Sequence, residues 1–303
     1  MAKLEGVLPA LVTPLGEDGG LDRRALERLL DHVLAAPVAG VCPAGTTGEG
    51  ALLSSDVRVE LTMHVAARVP RGGWVIPGVM ARSADEALRE IERYAGAGAG
   101  GVLIPPPWYY PLRPPEVLRF YQRVADRCDL PLVLYNFPAM TKVSIPPAVV
   151  GELAGHPRLL GIKDSSRDME YFSAVVSAAR VADGFAVMTG SDTMLLASLT
   201  VGGVGTIAAS VNVIPHLVCR LYEAYRARDM DEARAVQERV AGVVGACRAA
   251  GVPAAWKAAL SQLGLCSPWT AHPLLPPDPA AVDALGAEIR RLGVTEAQPE
   301  SAV

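Results

Sequence analysis

The stretch Leu159-Leu160-Gly161-Ile162-Lys163-Asp164-Ser165-Ser166 is a short apolar run that stops on a lysine and then turns polar. Strands of a parallel sheet read this way, because helices cover both of their faces. Working outward, seven further runs of the same kind occur at residues 6–13, 40–45, 74–79, 101–105, 130–135, 185–189 and 203–208. Helical patterns separate them, at 22–35, 54–69, 83–97, 114–127, 146–154, 168–180 and 192–201. Several helices have clear starts: Asp22, Ser54 and Ser83 are N-cap candidates, and Ser83 with Glu86 has the spacing of a capping box. Eight βα units in succession point to an α/β fold of the TIM (β/α)8 barrel type, since an open doubly wound sheet usually has fewer strands. After the last strand the pattern is purely helical, at 215–228, 230–250, 253–263 and 279–292. The expected organisation is a barrel core over 1–215, the eighth barrel helix and a C-terminal helical appendage over 216–295, and a disordered tail over 296–303.

Composition agrees with this frame. The chain has 303 residues, and such a barrel typically occupies about 250, which leaves room for the appendage. With 50% hydrophobic and 20% charged residues it can bury a large core, which excludes a disordered or fibrous protein. The net charge of −4, from 28 basic and 32 acidic residues spread along the chain, shows no basic stripe and argues against nucleic acid. Cys42, Cys128, Cys219, Cys247 and Cys266 are odd in number and never form a Cys-x-x-Cys pair, so they read as small buried hydrophobes of a reducing compartment. The N-terminus lacks an apolar core followed by a small-residue cleavage site, and a cytoplasmic location is expected. Residues 193–219 are uncharged and long enough to span a bilayer, but Gly202, Gly203, Gly205, Asn212 and Pro215 break them into helix, strand and helix, so no membrane is expected.

In a barrel, active groups sit at the C-terminal ends of the strands. Lys163 is there, and period-two alternation places it with Gly161 inside the barrel while Ile162 faces the helices. Burying an ammonium at that point is costly, which favours the neutral amine that attacks carbonyls. A lysine that pairs with Asp164 fits the same position. On the preceding strand Tyr135 alternates with Val133 and points inward too, either as a proton relay or as a buried core tyrosine. The turn Gly45-Thr46-Thr47-Gly48 offers two hydroxyls and backbone N–H groups, suited to a carboxylate or to plain turn capping. The run Gly96-Ala97-Gly98-Ala99-Gly100-Gly101 formally matches a dinucleotide fingerprint but follows a helix and precedes a strand, the wrong order, so it reads as a helix C-cap and loop. The five histidines show no metal-ligand spacing, and no metal is expected.

Taken in order, Gly45-Thr46-Thr47-Gly48-Glu49, Tyr135-Asn136-x-Pro138, Gly161-Ile162-Lys163-Asp164 and Gly202-Gly203-Val204-Gly205 through Asn212 and Pro215 resemble the dihydrodipicolinate synthase / N-acetylneuraminate lyase family. The resemblance implies a lyase that binds pyruvate or another 2-oxo acid as a Schiff base, with no cofactor beyond that covalent imine. It makes Lys163 the Schiff-base lysine, Tyr135 the proton-relaying tyrosine, and Thr46 and Thr47 the residues serving the carboxylate and the relay beside Gly48. Tyr110 looks like the family tyrosine contributed across a subunit interface, which implies a homotetramer, and Ile207 matches the position whose backbone touches pyruvate.

One departure bears on the substrate. Family synthases that condense pyruvate with aspartate semialdehyde typically carry arginine two residues after the Tyr-Asn-x-Pro proline, whereas Pro138 is followed by Ala139 and Met140. Losing an arginine–carboxylate contact removes roughly 1.5–3 kcal/mol. The expected reaction is therefore aldol cleavage of a 2-keto-3-deoxy sugar acid to pyruvate and an aldehyde, with Ser191, Asp192 and Thr206 toward the sugar hydroxyls and Gly190 among the substrate-binding residues. The rivals are 4-hydroxy-tetrahydrodipicolinate synthase, with Arg113 or another basic residue replacing the missing arginine, a dehydratase using the same imine, and a non-catalytic 2-oxo-acid sensor.

Overall fold

A computed structural model describes residues 3–294, and the expected tail at 296–303 lies outside the described residues. Eight parallel strands follow in chain order: β1 (Gly6–Pro9), β2 (Gly40–Val41), β3 (Trp74–Val75), β4 (Val102–Ile104), β5 (Leu132–Asn136), β6 (Leu159–Asp164), β7 (Ala186–Thr189) and β8 (Gly205–Ala208). Their hydrogen-bonded order is β1-β8-β7-β6-β5-β4, with β2 paired to β3. Parallel bridges Ala10–Cys42 and Gly78–Leu103 join the two groups and close the ring. The result is the TIM barrel expected from the sequence.

β2 and β3 are shorter than their apolar runs, and the reason is local. Pro43 and Pro77 have no N–H to give to a ladder. The strands nevertheless stay side by side, because Ile76 N–H donates to Val41 O at 3.0 Å and Gly78 N–H to Pro43 O at 2.9 Å.

Alternation sorts the side chains into two layers as expected. Leu8, Ile76, Leu103, Val133, Tyr135, Met188 and Ile207 fill the lumen. Leu132, Leu134, Ile162 and Val187 face outward and pack with Tyr121, Phe172 and Val175 of the surrounding helices. The 193–219 stretch divides into helix Leu195–Thr200, β8 and helix Pro215–Arg226, and no helix among the described residues is long and apolar enough to cross a membrane.

The helix starts behave as anticipated, with one correction. Asp22, Ser54 and Ser83 each accept the backbone N–H three residues on, from Ala25, Val57 and Glu86. The return half of the Ser83 box lands one residue early: Glu86 Oε2 accepts the N–H of Arg82 at 2.9 Å, because the same carboxylate is held by the Arg82 guanidinium. The glycine run at 96–101 is a helix end, with Gly98 in the left-handed region at φ +88°.

Three further helices, Met230–Ala249, Ala254–Gln262 and Pro279–Arg291, follow the eighth barrel helix. They share a hydrophobic core with the first barrel helix and the residues just after β8. Val244, Arg248, Val252 and Trp256 of this appendage reach the cavity at the barrel mouth. Thus the C-terminal helices roof the lumen.

Candidate active site

The cavity at the C-terminal ends of the strands has a volume of about 420 Å³, within the range of small-molecule sites. Lys163 rises into it from β6 and Tyr135 from β5, at directly paired positions of the two strands. Both side chains are buried, at 4% and 3% exposure, yet both reach the cavity. The Lys163 Nζ lies 4.5 Å from the centre of the Tyr135 ring. The Tyr135 hydroxyl in turn lies 3.2 Å from Thr46 Oγ1, so the phenol whose ring flanks the amine is hydrogen-bonded to the alcohol.

The alternative in which Lys163 pairs with Asp164 fails. Asp164 points to the other face of β6, where Oδ1 accepts from Asn136 Nδ2 at 2.8 Å and Oδ2 from the Ser166 hydroxyl at 2.8 Å. Burial pushes the Asp164 carboxyl above its usual range, and these hydrogen bonds oppose the shift without cancelling it. Lys163 forms no ion pair among the described residues. Gly190 makes room for it: a Cβ there would meet Lys163 Cε at 2.7 Å and Ser165 Oγ at 2.0 Å.

The Thr46-Thr47 turn is fixed from behind by two buried ion pairs that sequence reading did not find. Glu49, in the left-handed region at φ 57°, pairs with Lys257 Nζ at 2.7 Å, and its second oxygen accepts the Ala271 N–H at 2.5 Å. Arg58 pairs with Glu90 at 2.6 Å and donates to the carbonyls of Gly50 and Leu53. Gly48 does not line the cavity; its carbonyl accepts from the Thr13 hydroxyl at 2.7 Å, and a Cβ on it would meet Leu11 O at 2.6 Å. Only glycine fits so close an approach.

The other expected site residues divide. Thr47, Gly190, Asp192 and Ile207 line the cavity. Thr206 and Ser191 do not. Ile207 occupies the inward register of β8, so Thr206 must face outward, and its hydroxyl donates to Thr189 O at 2.9 Å. Ser191 is 3% exposed and does not line the cavity, and its buried hydroxyl finds no hydrogen-bond partner among the described residues. Tyr110 is 71% exposed on the loop after β4, edge-to-face with Tyr109 at 5.0 Å, and lines a separate surface groove with Arg82 and Phe120. It does not reach the cavity of its own chain. The cavity also holds Arg167 and Arg248, which sequence reading passed over. All five cysteines are free and buried, and burial pushes the Cys42 thiol, which faces the lumen beside Lys163, up to about 11.

With this geometry in hand, the chain can be set beside known proteins. Residues 3–291 match the model of the dihydrodipicolinate synthetase family. The chain belongs to that family. Its relatives include the 4-hydroxy-tetrahydrodipicolinate synthase of Hyphomonas neptunium, 35% identical over 95% of this chain and 98% of the relative, and that of Acidiphilium cryptum, 36% identical over 95% and 98%. Among solved structures of the family, dihydrodipicolinate synthase from Thermotoga maritima superposes with a TM-score of 0.93 at 28% identity, covering 97% of this chain and all of that one. YagE, a family protein from Escherichia coli K12 solved in complex with pyruvate, gives 0.91 at 28% identity, with 97% and full coverage. Family membership makes this chain a lyase, and the TIM barrel inferred from strand counting is the fold of its structural neighbours.

Proposed function

We propose that this family member catalyses reversible aldol cleavage of a 2-oxo acid through an imine at Lys163. The observation that carries the reading is the buried Lys163 amine, without a carboxylate partner among the described residues, beside a phenol that is itself linked to the Thr46 hydroxyl. The neutral amine adds to the 2-oxo carbon, and loss of water leaves an iminium that accepts the electrons of the breaking C3–C4 bond. The C4 hydroxyl loses its proton as the aldehyde departs. Tyr135 is the group placed to take that proton, with Thr46 passing it on. The enamine is then protonated at C3, and hydrolysis releases pyruvate and the free lysine. The Thr46-Thr47 turn holds the carboxylate of the 2-oxo acid with hydroxyl and backbone N–H donors.

The substrate we favour is a 2-keto-3-deoxy sugar acid, because Met140, apolar and 59% exposed, stands at the cavity where synthases of the family carry arginine. Of the three residues expected near the sugar hydroxyls, Asp192 alone supports this by position. A second reading, condensation of pyruvate with aspartate semialdehyde, is favoured by the names of relatives at 33–36% identity. In either case Tyr110, unable to reach its own cavity, fits a role across an interface in a homotetramer.

Borohydride reduction in the presence of pyruvate tests the chemistry. A stable mass increment on the peptide containing Lys163 is expected, and its absence despite measurable pyruvate binding overturns the imine. Pyruvate release from a panel of 2-keto-3-deoxy acids, run beside the semialdehyde condensation, decides the substrate.

A further inference from the structure

Arg167 and Arg248 line the same cavity as Lys163 from two different elements, the loop after β6 and the roofing helix Met230–Ala249. Several arginines elsewhere in the chain find carboxylates, as Arg58 does with Glu90, Arg93 with Asp56 and Arg113 with Glu116, and others such as Arg24, Arg89 and Arg239 stand unpaired among the described residues, away from the cavity. Arg167 and Arg248 pair with none among the described residues. They are near enough for each to feel the other: burial first, and then the charge of Arg167, pull the Arg248 guanidinium below its usual range, while Asp192 opposes. Asp192 cannot neutralise both, and its Oδ1 is already held by the Ser210 N–H at 2.7 Å. The other acid lining the cavity, Glu49, is engaged by Lys257. The backbone supplies an independent sign. Arg167 sits in the left-handed region at φ +64°, a conformation that favours glycine, yet the position carries a long cation that lines the cavity.

We infer that Arg167 and Arg248 form a second anion site, which receives a carboxylate at the far end of the substrate. The inference rests on the imine reading above and deepens it. The carboxylate next to the reacting carbon is held at the Thr46-Thr47 turn, and the arginines at the loop and roof would take another, so the substrate class is a 2-oxo acid with an acidic group at both ends. Two sources could supply the second carboxylate: the far terminus of a 2-keto-3-deoxy aldarate, or the carboxylate of an acidic aldehyde such as aspartate semialdehyde. Either way these two side chains stand in for the arginine that Met140 displaces.

The test compares matched substrates in the wild-type enzyme, Arg167→Gly, Arg248→Gln and the double variant. Glycine suits the backbone at position 167, so that substitution removes the guanidinium without adding strain. One arm measures kcat/KM for cleavage of a 2-keto-3-deoxy aldarate against the aldonate of the same length and stereochemistry, which ends in a hydroxymethyl group. The other measures condensation of pyruvate with aspartate semialdehyde against an uncharged aldehyde. Each single variant should lower the charged-to-neutral ratio about tenfold and the double variant about a hundredfold, mostly through KM. A ratio of substrates is insensitive to the fraction of enzyme folded. The arm in which the ratio falls identifies the source of the carboxylate. If both ratios stay at the wild-type value while wild-type Lys163 is trapped with pyruvate, the arginine site is overturned and the imine stands. If wild-type Lys163 is never trapped, the imine reading falls and takes this inference with it.

Discussion

Two lysines are buried in this barrel, and their surroundings differ in the respect that matters for chemistry. Lys257 is 0% exposed; its Nζ contacts Glu49 at 2.7 Å and donates to Trp269 O at 2.6 Å. Burial still lowers its pKa, with Glu49 working against the shift. Lys163, 4% exposed, has no carboxylate and no hydrogen bond among the described residues, only the face of Tyr135 and an open cavity. The comparison teaches that burial alone does not mark a reactive lysine. An amine held between a counterion and a carbonyl holds structure together, whereas one left without partners among the described residues at the end of a strand is free to attack.

The largest test of this contrast is to remove each amine in turn. Lys163→Met should lower kcat/KM by about a thousandfold or more, because it deletes the proposed nucleophile. The melting temperature should stay level or rise, since no partner is left unsatisfied. Substantial activity in this variant, measured as pyruvate release, would break the assignment. Lys257→Met should do the reverse to the fold. It strands Glu49 as a buried unpaired carboxylate, at a cost of about 3–5 kcal/mol in urea unfolding. Adding Glu49→Gln, which keeps an acceptor for the Ala271 N–H, should restore most of that loss. If Lys257→Met were as stable as the parent, the two lysines would not differ in the way described.

A smaller effect is expected from Gly190→Ala. The new methyl group would press on Lys163 Cε and Ser165 Oγ, and overpacking of this kind costs about 1–3 kcal/mol. The value of kcat should fall as well, because the lysine chain loses the space in which it reaches the substrate. Stability measured by urea unfolding and kcat measured on folded enzyme separate the two consequences.

How much of this was legible in the sequence follows from which features are local. Lys163 could be found because an apolar run ends on it, and Tyr135 because two-residue alternation carries Val133 and Tyr135 to one face. The same alternation excludes Thr206 from the site, because it cannot share the lumen with its neighbour Ile207. Ser191 lies two residues past the end of its strand at Thr189, where alternation no longer determines direction. The Glu49–Lys257 pair lay beyond reach, because it joins the second βα turn to a helix of the appendage and no local pattern states where that appendage docks. Arg248 was hidden for the same reason. Arg167 left a faint mark, a bulky cation in a short turn, but its left-handed backbone becomes visible only in the fold. The chain therefore displays its strands and strand-end chemistry openly, while the residues that roof the site and brace it depend on contacts between distant segments.

The subtlest test concerns the hydroxyl that links the two regions. The Glu49–Lys257 pair braces the Thr46 turn from behind, while Thr46 faces Lys163 through Tyr135 at the front. Thr46→Val keeps the shape of the side chain and removes only its oxygen. A relay role predicts a loss of about tenfold in kcat, equivalent to roughly one hydrogen bond to the reacting system, with stability changed by less than about 1.5 kcal/mol. Thr13→Val provides the counterpart, since the Thr13 hydroxyl donates to Gly48 O at 2.7 Å and supports the same turn without lining the cavity. It should lower stability by about 1 kcal/mol and leave kcat of the folded enzyme nearer the parent value. Should Thr46→Val instead weaken the fold and spare kcat, as Thr13→Val is expected to do, Thr46 would be a brace like the buried ion pair behind it, and the relay would have to run from Tyr135 to the substrate without it.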